Sequence, residues 1–154
     1  HAGMRYRAAG VRDGLRGVKA DIIMPAATQN DVNMEQAKKI VANGIKYYIE
    51  VANMPTTNDA LRYLMDQKNM IVAPSKAVNA GGVSVSGLEM SQNQEHLSWT
   101  AEEVDAKLRQ IMKNIHDSSA AAAERYGLGY NLVAGANIVG FQKVADAMMA
   151  QGWV

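Results

Sequence analysis

The stretch Tyr47-Tyr48-Ile49-Glu50-Val51 decides the fold class, because it is a short run of β-forming residues between two segments of helical periodicity. The segment before it carries apolar residues at helical spacing, namely Met34, Ala37, Ile40 and Val41. The segment after it does the same with Leu61, Leu64 and Met65. The run is therefore predicted to be a strand with a helix on either side.

Two further short apolar runs lie outside these helices. Ile22-Ile23-Met24 is ended by Pro25, and Met70-Ile71-Val72-Ala73 is ended by Pro74. Strand, helix, strand, helix, strand is the order that produces a parallel sheet with crossover helices. The predicted fold class is α/β, with about three short parallel strands.

Local signals fix the predicted helix ends. Asn33 with Gln36 three residues later is a capping box, Gly44 closes the first helix, and Thr56 or Thr57 caps the second. The rest of the chain is predicted to be helical after a loop over residues 75–80. Helices are expected over about 81–93, 101–125 and 132–151.

Two of the later helices carry apolar stripes that are predicted to be core. In the helix over 101–125, which a Thr100–Glu103 capping box begins, they are Val104, Leu108, Ile111, Met112 and Ile115. In the last helix they are Ile138, Phe141, Ala145 and Met148. A helix over 101–125 would be about 36 Å long. Three short strands cannot cover that length, so we expect part of it to dock elsewhere.

Composition excludes several classes of protein. The 154 residues contain no cysteine, which removes disulfide frameworks, cysteine-ligated zinc and cysteine nucleophiles. Sixteen Lys and Arg against fifteen Asp and Glu leave a formal charge of +1, so no nucleic-acid partner is expected. No apolar run reaches the roughly 20 residues that span a bilayer, and no export signal is evident. Neither a membrane nor a metal is an expected partner, and the expected localisation is cytoplasmic.

The loops that follow the strands are the predicted ligand-binding region, because open α/β sheets bind ligands beyond the carboxyl ends of their strands. These loops, residues 26–30, 52–57 and 75–82, are rich in amide, hydroxyl and small side chains. Such groups suit an uncharged hydrogen-bonding partner such as a carboxamide or a ribose. The alternative is ordinary turn and cap chemistry, which uses the same residue types.

The third loop carries the sharpest pattern. If a helix begins near Asn79, one face of it presents Asn79, Val83, Ser86 and Met90. Gly81 and Gly82 would leave backbone N–H groups open to an anion, and Ser86 could add a hydroxyl to a carboxylate pocket. The alternative interpretation is a glycine hinge or tight helix packing, with Ser86 bonded back to its own helix.

Five long motifs of the chain form a recognisable set. They are Asp21-Ile-Ile-Met-Pro-Ala-Ala-Thr-Gln-Asn30, Glu50-Val-Ala-Asn-Met-Pro-Thr-Thr57, Ala73-Pro-Ser-Lys-Ala-Val-Asn-Ala-Gly-Gly-Val-Ser-Val-Ser-Gly-Leu-Glu-Met90, Ser98-Trp-Thr-Ala-Glu-Glu-Val-Asp-Ala-Lys-Leu108 and Ala136-Asn-Ile-Val-Gly-Phe-Gln-Lys-Val-Ala-Asp-Ala-Met148. In this order they closely resemble the hexameric glutamate dehydrogenases of the bacterial, small-subunit kind. The resemblance runs from about residue 18 to residue 152.

The resemblance implies oxidative deamination of L-glutamate to 2-oxoglutarate and ammonia, with hydride transfer to NAD or NADP. By the same resemblance the cofactor-binding residues are Ala27, Thr28, Gln29, Asn53 and Asn79. The substrate-binding residues are Asn79, Val83 and Ser86, with the Ser86 hydroxyl on the side-chain carboxylate of glutamate. Such groups orient the reacting atoms and need not transfer protons.

The resemblance also implies what this chain lacks. The catalytic lysines and aspartate and the glycine-rich phosphate loop belong to earlier parts of the family's sequence, so no catalytic residue is assigned here. Residues 20–130 resemble the distal half of a Rossmann-like nucleotide-binding domain, and residues 131–154 a long helix that returns toward the substrate domain. Residues 1–19 are unassigned. The expected partners are the remainder of the enzyme and, in the intact protein, the other subunits of a homohexamer.

Two other functions remain open on sequence grounds. One is a non-catalytic assembly or packing module that uses exposed helix faces, and the other is a small α/β ligand-binding domain.

Overall fold

The computed structural model describes residues 19–152 and confirms an α/β fold. The chain divides into two compact units, one up to Val72 and one from Ala73 onward. Of the unassigned segment 1–19, only Lys19 lies within the described residues. The predicted domain division into 1–19, 20–130 and 131–154 concerns the whole enzyme and stays a prediction.

A three-stranded parallel sheet organises the first unit. The strands are β1 (Ile22–Ile23), β2 (Tyr47–Ile49) and β3 (Ile71–Ala73), and they lie side by side in that order. Ile22 pairs with Tyr47 and Ile23 with Tyr48. The predicted strands were one or two residues longer. β2 stops early because the N–H groups of Val51 and Ala52 both turn to one carbonyl, that of Pro25.

Two crossover helices, α1 (Met34–Ala42) and α2 (Asn58–Met65), connect the strands and pack against each other. Two successive crossovers of the usual right hand put both helices on one face of such a sheet, and the contact between them agrees with that arrangement. The predicted capping box of α1 is confirmed, because Asn33 Oδ1 accepts from the N–H of Gln36 at 3.3 Å while Gln36 Oε1 accepts from the N–H of Asn33 at 3.1 Å. Gly44, at φ +74°, follows the end of the helix.

The capping prediction for α2 is only half right. Thr57 holds the N-cap position, but its side chain makes no capping bond. Thr56 does not cap either, since its hydroxyl lies 2.7 Å from that of the buried Tyr48. The start of α2 is therefore set by tertiary contacts of the preceding loop.

The second unit is helical, with α3 (Ser75–Val78), α4 (Ala80–Glu95), α5 (Ala101–Arg125) and α6 (Leu132–Gln151). The expected loop over 75–80 is wrong in part, because residues 75–78 form a helical turn whose N–H groups at Ala77 and Val78 donate to Pro74 O. The bounds of α5 and α6 agree with the prediction. The capping box of Thr100 and Glu103 is present at the start of α5.

The crossing of α5 and α6 is the tightest packing in this unit. Gly135 of α6 lies so close to α5 that an added Cβ would be 1.8 Å from the carbonyl oxygen of Ser119. Ser119, Ala122 and Ala123 of α5 are buried at this crossing together with Leu132. Small residues let the two helix backbones approach closely.

The predicted core stripes are only partly covered. The five apolar residues of the α5 stripe are half-buried. On α6, Ile138 and Ala145 are half-buried, whereas Phe141 is 71% exposed and Met148 is also exposed, so their placement in a core is wrong for this chain. The reason is geometric, since α5 covers only one side of α6 within the unit.

Candidate functional site

The loops after β1 and β2 meet at the carboxyl ends of their strands. Both begin at the same point, where Pro25 O accepts from the N–H groups of Val51 and Ala52 at 3.1 and 3.0 Å. The loops are thus joined by the main chain as soon as they leave the sheet.

The same loops are joined again at their far ends. The Asn30 N–H donates to Met54 O at 3.0 Å, and the Val32 N–H donates to Pro55 O at 2.9 Å. The Thr57 N–H returns a bond to Val32 O at 3.0 Å, and Val32 pairs with Thr56 as an isolated parallel bridge. We call residues 25–32 and 51–57 the stapled loops, because these bonds hold them at both ends.

The cofactor residues predicted in the first unit all lie on the stapled loops. Ala27, Thr28 and Gln29 are exposed on the first loop, and Asn53 is exposed on the second. The structure therefore brings these four residues to one end of the sheet, as the sequence predicted. Their roles toward a cofactor stay predictions.

Asp31 is a residue that the sequence reasoning missed. Its Oδ2 accepts from the Thr28 N–H at 2.9 Å, and its Oδ1 accepts from the Thr28 hydroxyl at 2.7 Å. Its three-residue spacing from Thr28 is a weak signal, because the same polar loop offers other acceptors. Asp31 thus fixes both the backbone and the side chain of a predicted cofactor residue.

A buried side-chain pair anchors the second stapled loop to β2. Tyr48 is fully buried, and its hydroxyl is bonded to Thr56 Oγ1. Burial raises the pKa of Tyr48, so the phenol stays neutral. Glu50, at 3% exposure, is a buried carboxylate at the end of β2. The loop is therefore anchored by side chains as well as by the main chain.

In the second unit, Asn79 separates α3 from α4, and the predicted face of α4 is open to solvent. Val83 is 71% exposed, and Ser86 and Met90 are exposed as well. The Ser86 hydroxyl donates to Gly82 O at 3.3 Å. The back-bonded interpretation is therefore the arrangement observed in this chain, and a role of Ser86 toward glutamate stays a prediction.

The two glycines at the start of α4 have different surroundings. A Cβ on Gly81 would stand 3.6 Å from side chains of Leu108 and Met112 on α5, which is ordinary packing distance, whereas Gly82 faces open space. The Gly82 N–H donates to Asn79 O at 3.3 Å. Because α3 precedes α4 with one residue between them, this N–H is already used within the helix pair.

Residues 19–152 contain neither a metal-binding cluster nor a membrane-spanning helix. No cluster of three or more histidine, aspartate or glutamate side chains there could hold a metal ion. None of the helices there is long and apolar enough to cross a membrane.

The sheet, its crossover helices and the helices that follow define a partial Rossmann-like α/β domain. The family model described as Glutamate/Leucine/Phenylalanine/Valine dehydrogenase matches residues 5–152, and the chain belongs to this family.

Curated proteins that are similar to this chain are named glutamate dehydrogenases. The NAD-specific glutamate dehydrogenase of Clostridium symbiosum is 83% identical over 136 residues, which are 88% of this chain and 30% of that protein. The NADP-specific glutamate dehydrogenase of Psychrobacter sp. is 54% identical over 139 residues, 88% of this chain and 31% of that protein. The chain thus spans about a third of the length of the curated relatives it matches.

Solved structures agree with these relatives. A structure titled glutamate dehydrogenase is 82% identical, with a TM-score of 0.87 over 90% of this chain and 31% of its own. The hetero-hexameric glutamate dehydrogenase from Thermus thermophilus is 25% identical, with a TM-score of 0.84 over 97% of this chain and 34% of its own.

Proposed function

We propose that this chain is the carboxyl-terminal portion of a glutamate dehydrogenase that oxidatively deaminates L-glutamate to 2-oxoglutarate and ammonia. Family membership and the names of the relatives support this proposal. Both NAD-specific and NADP-specific enzymes are among those relatives, so the coenzyme is NAD or NADP. When bound, the nicotinamide accepts the hydride from the Cα atom of glutamate.

The stapled loops are the single observation that carries the coenzyme part of the proposal. They present a threonine hydroxyl and two amide side chains, those of Gln29 and Asn53, at the carboxyl end of a parallel sheet. The two amides can donate and accept, and the threonine oxygen can accept, which matches a ribose or a carboxamide, and a held loop keeps such a ligand oriented. The donor set therefore fits the nicotinamide end of a dinucleotide.

The substrate part rests on α4. Ser86 would bind the side-chain carboxylate of glutamate, Val83 would contact its aliphatic portion, and Asn79 would lie at the junction of substrate and nicotinamide. The Ser86 bond to Gly82 O is long at 3.3 Å, so exchanging it for a carboxylate costs little. A hydroxyl bonded to a charged oxygen makes the stronger bond.

The test compares three preparations by the absorbance of the reduced coenzyme. The full-length enzyme that contains this chain should reduce NAD or NADP in the presence of glutamate. The 154-residue chain alone should not, because the acid/base lysines and aspartate are expected in the missing part. Mixing it with a separately expressed amino-terminal portion should restore turnover. Absence of turnover in the full-length enzyme would refute the proposal.

A packing module is the second candidate, and the exposed apolar side chains of α6 favour it. Phe141, Val144 and Met149 are each more than half exposed. Association with the amino-terminal portion without recovery of activity would favour this candidate.

The homohexamer and the cytoplasmic localisation stay predictions, which sedimentation of the full-length protein and fractionation of the producing cells would test.

A further inference from the structure

We propose that Asp31 is a positioning residue that fixes the Thr28 hydroxyl as a hydrogen-bond acceptor, so that the first stapled loop recognises a neutral hydrogen-bond donor on the coenzyme. This inference rests on the proposed function and adds which partner donates and which accepts in one hydrogen bond between the loop and the coenzyme. The donor is either a ribose hydroxyl or the amide N–H of the carboxamide.

The geometry of the pair sets the direction of both bonds. The carboxylate of Asp31 accepts from Thr28 twice, through the N–H at 2.9 Å and through the hydroxyl at 2.7 Å. An ionised carboxylate has no hydrogen to give, so the hydroxyl must be the donor. The distance of 2.7 Å is in the range of a charge-assisted O–H···O bond.

The consequence concerns what Thr28 can still bind. A hydroxyl has one hydrogen and two lone pairs, and here the hydrogen is engaged by Asp31. The oxygen can therefore only accept from a ligand. Phosphate and carbonyl oxygens are acceptors too, so neither is recognised at this point, and the charge of Asp31 repels a phosphate in addition. A neutral O–H or N–H donor is the complementary group.

The backbone on either side of Asp31 is held in place. Asn30 and Val32, its two chain neighbours, donate their N–H groups to Met54 O and Pro55 O of the second stapled loop at 3.0 and 2.9 Å. The carboxylate is therefore anchored at its base, and the Thr28 hydroxyl is oriented before any ligand arrives. Such preorganisation lowers the cost of binding.

A double-mutant cycle in the full-length enzyme tests the coupling. Thr28→Val keeps the shape of the side chain and removes the acceptor, and it should raise the Kd for reduced coenzyme about tenfold. Asp31→Asn should raise the Kd in the enzyme with Thr28 but not further in the Thr28→Val background. The Kd is measured by fluorescence titration, which does not require turnover. Additive effects of the two substitutions would overturn the inference.

Two coenzyme analogues distinguish the sources of the donor. One carries an acetyl group in place of the carboxamide and has no amide N–H, and the other lacks a hydroxyl on the nicotinamide ribose. One of them should bind the unsubstituted enzyme about tenfold more weakly than the natural coenzyme. The same analogue should show no such deficit with Thr28→Val. If Thr28→Val discriminates against both analogues as the unsubstituted enzyme does, the inference is wrong, and this arm decides even if Asp31→Asn does not fold.

Asp66→Asn is the matched control, because it removes the same charge from an exposed aspartate in the connection that leads into β3. It should leave the Kd unchanged.

Failure of the inference is separable from failure of the proposed function. If the enzyme turns over glutamate but the mutant cycle is additive, only the proposed role of Asp31 is refuted. If the enzyme shows no glutamate-dependent reduction of coenzyme, the proposed function is refuted.

Discussion

The hydroxyl of Ser86 is bonded to the backbone of its own helix. It donates to Gly82 O at 3.3 Å, at the weak end for such a bond. Ser91 lies on the same helix, is also exposed, and donates to Gly87 O in the same i to i−4 pattern. The two serines therefore differ in their predicted role and resemble each other in local structure.

Replacing Ser86 by Ala in the full-length enzyme should lower kcat/KM for glutamate about tenfold or more, because one bond to the substrate carboxylate is lost. The coenzyme Kd should stay unchanged. Steady-state kinetics with varied glutamate measure the effect. Ser91→Ala is the control and should behave like the unsubstituted enzyme. An unchanged kcat/KM in Ser86→Ala would remove this residue from the substrate site.

Tyr48 is a second residue with a defined contribution. Tyr48→Phe removes the hydroxyl bonded to Thr56 and keeps the buried ring. The Thr56 hydroxyl then lacks its partner in a buried place, so the free energy of unfolding should fall by about 1 to 2 kcal/mol. Tyr47→Phe makes the same chemical change at an exposed neighbour and should have little effect. Urea denaturation followed by circular dichroism gives both values.

Sequence reasoning succeeded at residues whose partners are close in the chain. Asn33 and Gln36 form their capping box because the pattern is local and the helix supplies the geometry. Thr56 could not be predicted in the same way, since its partner Tyr48 belongs to another element. Asp31 was missed because a polar loop offers many acceptors, and only the folded loop selects one.

At the scale of elements, the crossing of α5 and α6 depends on one glycine. In the sequence, Gly135 is only a residue of low helix propensity, and no nearby residue indicates that it packs against Ser119 of α5. The structure brings it against the Ser119 carbonyl, where a methyl group would overlap the backbone. The helix bounds were predictable from periodicity and caps, but this contact required the partner helix.

Replacing Gly135 by Ala should lower the free energy of unfolding by about 3 kcal/mol, because the helices must separate to admit the Cβ. Gly140→Ala is the matched control on the same helix, where an added Cβ meets nothing within 4 Å. The control should stabilise the chain by up to about 1 kcal/mol through helix propensity. Thermal unfolding of both variants checks the pair. Equal melting temperatures would contradict the crossing geometry.

At the scale of the whole molecule, large apolar side chains of α6 lie exposed in the part of the chain that the structure describes. The chain spans about 30% of the length of the Clostridium symbiosum relative, and α6 carries exposed Phe141, Val144 and Met148 at helical spacing. Periodicity predicted a stripe of Ile138, Phe141, Ala145 and Met148 on this helix, of which Phe141 and Met148 are exposed. It could not say whether the covering surface lies within these 154 residues, because a pattern does not identify its partner.

The chain alone should therefore self-associate as its concentration rises, and Phe141→Ser should shift that association to higher concentration. The physical reason is the loss of exposed apolar area at Phe141, the one aromatic residue of α6. Sedimentation velocity measures the shift. Met90→Ser on α4, where Met90 is 72% exposed, is the control for removing an exposed apolar side chain from a different helix. A Phe141→Ser chain that associates like the unsubstituted one would contradict the expectation.

The main-chain hydrogen bonds that join the stapled loops have a practical consequence for redesign. They do not depend on which side chains occupy positions 27, 29 and 53. A combinatorial library at these three positions would vary the chemistry offered to a cofactor while the scaffold keeps its shape. Position 31 should be left constant in such a library, because its side chain is part of the frame.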